Sequence, residues 1–133
     1  MIYLDANIFL YPLVYGEEKE EVKKSVFYLN KLIKGEIEGC TCVLTWDEIY
    51  YIILKVSGIT EAIDAGEKFL SFPNLQFLKV DFEVINEAHK IAANFKIKPR
   101  DAIHAASAFK YCNGEIISND SIFDNVRGIR RKF

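Results

Sequence analysis

Four acids stand where the chain changes from one kind of element to another. Asp5 closes the apolar run "MIYLD", and Asp120 follows the run "EIISN". Glu48 and Asp101 lie in the opening turns of "TWDEIYYIILKVSG" and "PRDAIHAASAFKYC". Asp124 comes shortly after Asp120, and Asn7 sits beside Asp5 between two apolar stretches. An isolated ionised carboxylate is costly to bury, so Asp5 has to be paired, metal-bound or placed at an edge. Carboxylates gathered in one cleft repel one another and raise each other's pKa. A divalent cation removes that repulsion, and oxygen-only ligands select hard ions such as Mg²⁺ or Mn²⁺. Such an ion activates a bound water and stabilises charge developing on a phosphate, so phosphodiester hydrolysis needs no Ser or His nucleophile. No nucleophilic triad stands out. His104, three residues after Asp101, reads as packing or as support for a nearby acid.

Each acid also has a purely structural explanation. Asp5 can cap the helix that follows it. Asp101 and Glu48 can favour the positive ends of their helices, or Glu48 can be half of a solvated Asp47-Glu48 pair. Asp120 can belong to a Ser-Asn-Asp turn. Asp81 and Asp64 read only as a helix cap and a solvated helix face. The set taken together is harder to dismiss, because Arg100 is the one basic residue directly beside any of the four acids.

The elements that must position these acids alternate in hydrophobic period. Residues 2–5, 75–80 and 115–118 read as strands, with 129–133 as a candidate fourth. A short helix is expected over 6–14. The segment 17–36 places Val22, Val26, Leu29 and Ile33 on one helical face, with Gly35 or Gly39 ending it. Further helices are expected from Thr45 to Gly58, from Thr60 as N-cap to about Phe72, from Asp81 as N-cap to about Phe95, and from Pro99 to about Cys112. Strands separated by helices argue for an α/β fold with a mainly parallel sheet. In such sheets ligands bind beyond the carboxyl ends of the strands, the rim where Asp5 and Asp120 stand.

The chain has 133 residues, half of them hydrophobic and 14% aromatic, which suits one domain over 1–133 with a real core. No apolar run approaches the ~20 residues needed to span a bilayer. The start of the chain lacks a basic region before its apolar stretch, so a soluble cytoplasmic protein is expected. Cys40, Cys42 and Cys112 form no paired framework and read as reduced core thiols rather than a zinc site. The net charge of −2 does not advertise a nucleic-acid partner, although charge location matters more than the sum. The basic end "RGIRRKF" could contact phosphates or simply be solvated. The aromatic run through Phe9, Tyr11 and Tyr15 reads as a short core helix, with an exposed partner surface as the alternative.

Four segments in order, "YLDANIFLY", "TWDEIYYIILK", "KPRDAIHAASA" and "ISNDSIFD", resemble the PIN domain, and in particular compact VapC-type toxin nucleases. The resemblance spans essentially the whole chain. It implies a three-layer α/β/α sandwich around a mainly parallel sheet, and Mg²⁺- or Mn²⁺-dependent endoribonuclease activity on RNA. It makes Asp5, Glu48, Asp101 and Asp120 the catalytic acids, with Asp5, Asp101, Asp120 and the more variable Asp124 as metal ligands. Asn7 and Ser118 match supporting polar positions. Asp47 lies outside the pattern, which leaves open whether Asp47 or Glu48 faces the site. A homodimer and a cognate antitoxin partner are further implications. A housekeeping RNA-processing nuclease fits the same chemistry. A non-catalytic PIN-fold module that binds RNA or protein is the alternative. A phospho-acceptor domain fits poorly, because Asp-Ala-Asn is not a pair of adjacent acids and "EIIS" ends without lysine.

Overall fold

The computed structural model describes residues 1–133. Five strands form one sheet: β1 (Ile2–Leu4), β2 (Gly39–Cys42), β3 (Leu75–Leu78), β4 (Glu115–Ile117) and β5 (Arg130–Lys132). Six helices surround it: α1 (Ala6–Val14), α2 (Glu20–Ile33), α3 (Thr45–Ser57), α4 (Ile59–Leu70), α5 (Phe82–Phe95) and α6 (Pro99–Cys112). A short 3-10 turn, Ser121–Asn125, separates β4 from β5. The strand order is β3-β2-β1-β4-β5, and every neighbouring pair is parallel. The sheet is therefore wholly rather than mainly parallel.

Alternation along the strands divides the core in two. Tyr3, Cys40, Cys42, Leu78 and Ile116 face α5, α6 and the residues Phe123 and Val126. Leu4, Leu75 and Ile117 face the other way, onto α1 to α4. The result is the expected three-layer sandwich with the sheet buried on both faces, as parallel sheets require.

Several sequence expectations need correction. β2 was not foreseen as a strand, so the sheet has five strands where three and a candidate fourth were read. Its residues, Gly-Cys-Thr-Cys, are all buried and give no polar alternation. Gly39 has a packing reason: an added Cβ would lie 2.8 Å from methyl carbons of both Leu4 and Leu32. β1 ends at Leu4 and β3 at Leu78, shorter than expected, and Asp5 is already the N-cap of α1. α4 begins at Ile59 with Gly58 before it, so Thr60 is not its cap. On α2 the buried positions are Val22, Ser25 and Leu32, while Val26 and Ile33 are exposed. α2 rides on α1 at the edge of the molecule and needs only a narrow apolar stripe. No helix is long and apolar enough to cross a membrane.

Candidate active site

The carboxyl ends of β1, β2 and β4 open onto one rim. Asp5, the first residue after β1, is buried and held by three donors. Its Oδ1 accepts the Ala6 N–H at 2.8 Å. Its Oδ2 accepts the Ser118 hydroxyl at 2.6 Å and the Asn7 side-chain amide at 3.2 Å. Ser118 directly follows β4 and also accepts the backbone N–H of Asp120 at 3.0 Å. Asn7 donates to Ser118 as well, at 3.3 Å. Asp5 is thus both a helix cap and a residue fixed by a polar cluster. Burial pushes its carboxyl above the ordinary range, against the opposing pull of His104 and Ser118.

Glu48 reaches the same rim from the first turn of α3, and Asp101 from the first turn of α6. The Asp47-Glu48 doublet resolves clearly. Asp47 is exposed and pairs with Arg100 at 2.9 Å, whereas Glu48 turns inward to His104 at 2.5 Å. Arg100, the one cation expected near Asp101, is therefore engaged elsewhere. The Asp101 carboxyl is pushed up to about 6, first by burial and then by the Asp120, Asp5 and Glu48 carboxylates, with His104 opposing. Those like-charge contributions place Asp5, Glu48 and Asp120 within electrostatic reach of Asp101.

Asp120 is exposed, and its Oδ1 caps the 3-10 turn by accepting the Ile122 N–H at 3.0 Å. Asp124 is drawn away into a two-bond pair with Arg131, at 2.9 and 2.8 Å, which holds its carboxyl below the usual range. Arg131 also donates to the Ser118 carbonyl at 3.1 Å, tying β5 to the rim. The two acids read as purely structural behave so. Asp81 caps α5 through the Val84 N–H at 3.1 Å, and Asp64 pairs with Lys68 at 2.9 Å. Of the aromatic run, Phe9 is core, Tyr11 is partly buried with its hydroxyl accepting from Asn119 at 3.0 Å, and Tyr15 is exposed. Cys40 and Cys112 are buried against each other, with sulfurs 2.9 Å apart.

Of the two readings of His104, packing or support for a nearby acid, the structure shows the second, with Nε2 on Glu48. The ligand-capable atoms of Asp5, Glu48 and His104 all lie within 4.8 Å of one another. The imidazole is fully enclosed, and both its nitrogens are engaged, Nδ1 by the Tyr3 hydroxyl at 2.6 Å and Nε2 by Glu48. The donors left facing the rim are carboxylate oxygens, two of them on acids that resist ionisation. That set fits a hard divalent cation. Sequence spacing hinted at His104 through its place one turn after Asp101; nothing local in sequence could reveal that Tyr3 meets it.

On the other face of the sheet from α5 and α6, α1, α3 and α4 frame an apolar groove of about 410 Å³ whose lining includes Phe9, Leu13, Ile49, Ile53, Phe69 and Phe72.

Comparisons with known proteins agree with this architecture. A family model described as the PIN domain matches residues 2–129. Among solved structures, VapBC2 from Rickettsia felis bound to a promoter DNA fragment superposes with a TM-score of 0.75 at 17% identity, covering 99% of this chain and 98% of that one. VapC20 from Mycobacterium tuberculosis, described as a sarcin-ricin loop cleaving toxin, gives 0.76 at 11% identity, covering 97% of each chain. A toxin–antitoxin complex from Klebsiella pneumoniae gives 0.69 at 16% identity, covering 98% of this chain and 96% of that one. None of the curated proteins matches by sequence.

Proposed function

The chain belongs to the PIN domain family, and from that premise we propose that it is a divalent-metal-dependent endoribonuclease, the toxin of a toxin–antitoxin pair. The observation that carries the reading is the convergence of Asp5 and Glu48, whose ligand-capable atoms lie within 4.8 Å of each other and of His104, on the rim where burial, then the Asp120, Asp5 and Glu48 carboxylates, push Asp101 up to about 6. A free cluster of this kind is self-repelling, and a cation relieves it.

Asp5, Asp101 and Asp120 would hold Mg²⁺ or Mn²⁺, with Asp124 joining only if it leaves Arg131. The ion would supply an activated water and charge stabilisation at the scissile phosphate. The chain's own residues do the rest. Ser118 and Asn7 fix the Asp5 carboxylate by hydrogen bonds, Ser118 from the end of β4 beside β1 and Asn7 from the first turn of α1. Glu48 faces the same rim, suited to orienting a water or accepting its proton.

The antitoxin reading is supported by the similarity in fold to chains solved in toxin–antitoxin complexes, and by the open apolar groove between α1, α3 and α4. A homodimer and a cytoplasmic location complete the proposal. The test is cleavage of a structured RNA by the purified protein with Mn²⁺, with EDTA, and with Asp101→Asn. Cleavage only in the first case supports the nuclease. RNA retained but uncut in all three would favour a binding module instead.

A further inference from the structure

The four acids are not held equally. Asp5 has three hydrogen-bond donors on its two oxygens. Glu48 has one, His104 Nε2, and it extends to that donor across the end of the sheet from a helix on the opposite face. A carboxylate oxygen accepts and does not donate, so the proton on Nε2 faces Glu48. On the other side of the ring, Nδ1 lies 2.6 Å from the Tyr3 hydroxyl, and the Tyr3 oxygen accepts the Cys42 N–H at 3.1 Å. Tyr3 is 0% exposed and His104 1% exposed. One line of hydrogen bonds therefore runs from the backbone of β2, through Tyr3 on β1 and His104 on α6, to Glu48 on α3.

We infer that Tyr3 and His104 are positioning residues whose task is to hold Glu48 in its working rotamer, leaving Oε2 free to face the cleft. The inference rests on the nuclease reading, in which Glu48 is a working acid. A Glu side chain has three rotatable bonds, and nothing else in the site restrains this one. The enclosed ring supplies the restraint, and Tyr3 sets the ring's orientation from a strand that cannot move without disrupting the sheet. This is the arrangement by which outer partners fix the ligands of metal sites, and their loss lowers metal affinity or activity by roughly 10–100-fold. The competing assignment makes His104 a metal ligand beside Asp5 and Glu48. That would require Nε2 to give up its 2.5 Å hydrogen bond to Glu48, although Asp5 Oδ1 also stands 3.6 Å from the same nitrogen, so the two assignments are separated by experiment.

The experiment compares wild type, His104→Leu, His104→Gln, Glu48→Gln and the double variant Glu48→Gln with His104→Leu. Two quantities are read: Mn²⁺ affinity from thermal-shift titration, and kcat and KM for RNA cleavage. His104→Leu is expected to lower Mn²⁺ affinity or kcat by roughly 10–100-fold with little change in KM. His104→Gln, which keeps an N–H donor but is a poor Mn²⁺ ligand, is expected to recover most of the loss. In the Glu48→Gln background, His104→Leu is expected to cost nothing further, because the histidine acts through Glu48. Additive losses in the double variant would overturn the inference, as would a Gln variant as impaired as the Leu variant. If His104→Leu does not fold, Tyr3→Phe replaces it in the same cycle; it removes a single oxygen and is expected to produce a smaller loss that also vanishes in the Glu48→Gln background. Wild type that binds Mn²⁺ but cuts no RNA would overturn the nuclease reading and this inference with it, whereas additive losses in an active enzyme would overturn the inference alone.

Discussion

Asp101 is half-buried among carboxylates, and the sign of its pKa shift has a direct consequence. A carboxyl raised to about 6 binds its proton more tightly in the folded chain than in the unfolded one. Its contribution to stability is present below about pH 4 and is lost as pH rises through about 6. Without a cation, then, thermal stability should fall over that interval. Asp101→Asn should flatten the fall and melt higher than wild type in EDTA at about pH 7.5, while losing the rise that Mn²⁺ gives wild type. Melting curves across pH, with and without Mn²⁺, check both halves. The neighbouring doublet gives a second prediction. Glu48→Gln should lower kcat on the order of 100-fold or more, whereas Asp47→Asn should leave kcat within about twofold and stability within about 0.5 kcal/mol. Steady-state kinetics and urea unfolding of both variants decide it. At this scale the positions were largely legible: strand ends and helix starts marked Asp5, Glu48, Asp101 and Asp120, and the structure brings Asp5 and Glu48 together beside His104. The pairing of Asp124 with Arg131 and the burial of His104 against Tyr3 were not legible, because each depends on partners that only the tertiary fold brings near.

The elements are joined by a few intolerant turns. α6 ends at Asn113 in the left-handed conformation, and Gly114 follows with φ of +80°. A Cβ on Gly114 would stand 2.4 Å from the Gly128 carbonyl oxygen, which is backbone and cannot swing aside. Gly114→Ala should therefore destabilise by at least about 1–3 kcal/mol, read as a lower urea midpoint at unchanged m-value. The loss should extend to Mn²⁺ affinity, since β4 carries Ser118 to Asp5. Helix periodicity was the clearest signal in the sequence, and α5 and α6 fall where it placed them. β2 escaped because Gly-Cys-Thr-Cys has neither the alternation of a half-buried strand nor the bulky branched residues of a buried one. What makes it a strand is its parallel pairing with β1 on one side and β3 on the other. The face of α2 was misread because Val26 and Ile33 fit a helical stripe as well as Leu32 does. Only the seating of that helix against α1 chooses between them.

For the molecule as a whole, a cation that binds only the folded state stabilises all of it. Mn²⁺ at about 100 times its Kd should add about 2.7 kcal/mol, so EDTA should lower Tm by roughly 10 °C. Scanning calorimetry of the same sample before and after chelation measures it. The α/β class and the three layers were legible from strands spaced by helices. The strand order was not, because it is set by which faces close over one another. That order places β1 between β2 and β4, and it joins Asp5 to Ser118 across 113 positions of sequence. A growing chain therefore makes Asp5 long before Ser118, and the shortest of the hydrogen bonds to Asp5 waits until β4 has been made. Assembly of the candidate site is therefore coupled to closure of the sheet: a chain in which β4 has not joined β1 has Asp5 but not the hydroxyl that fixes it.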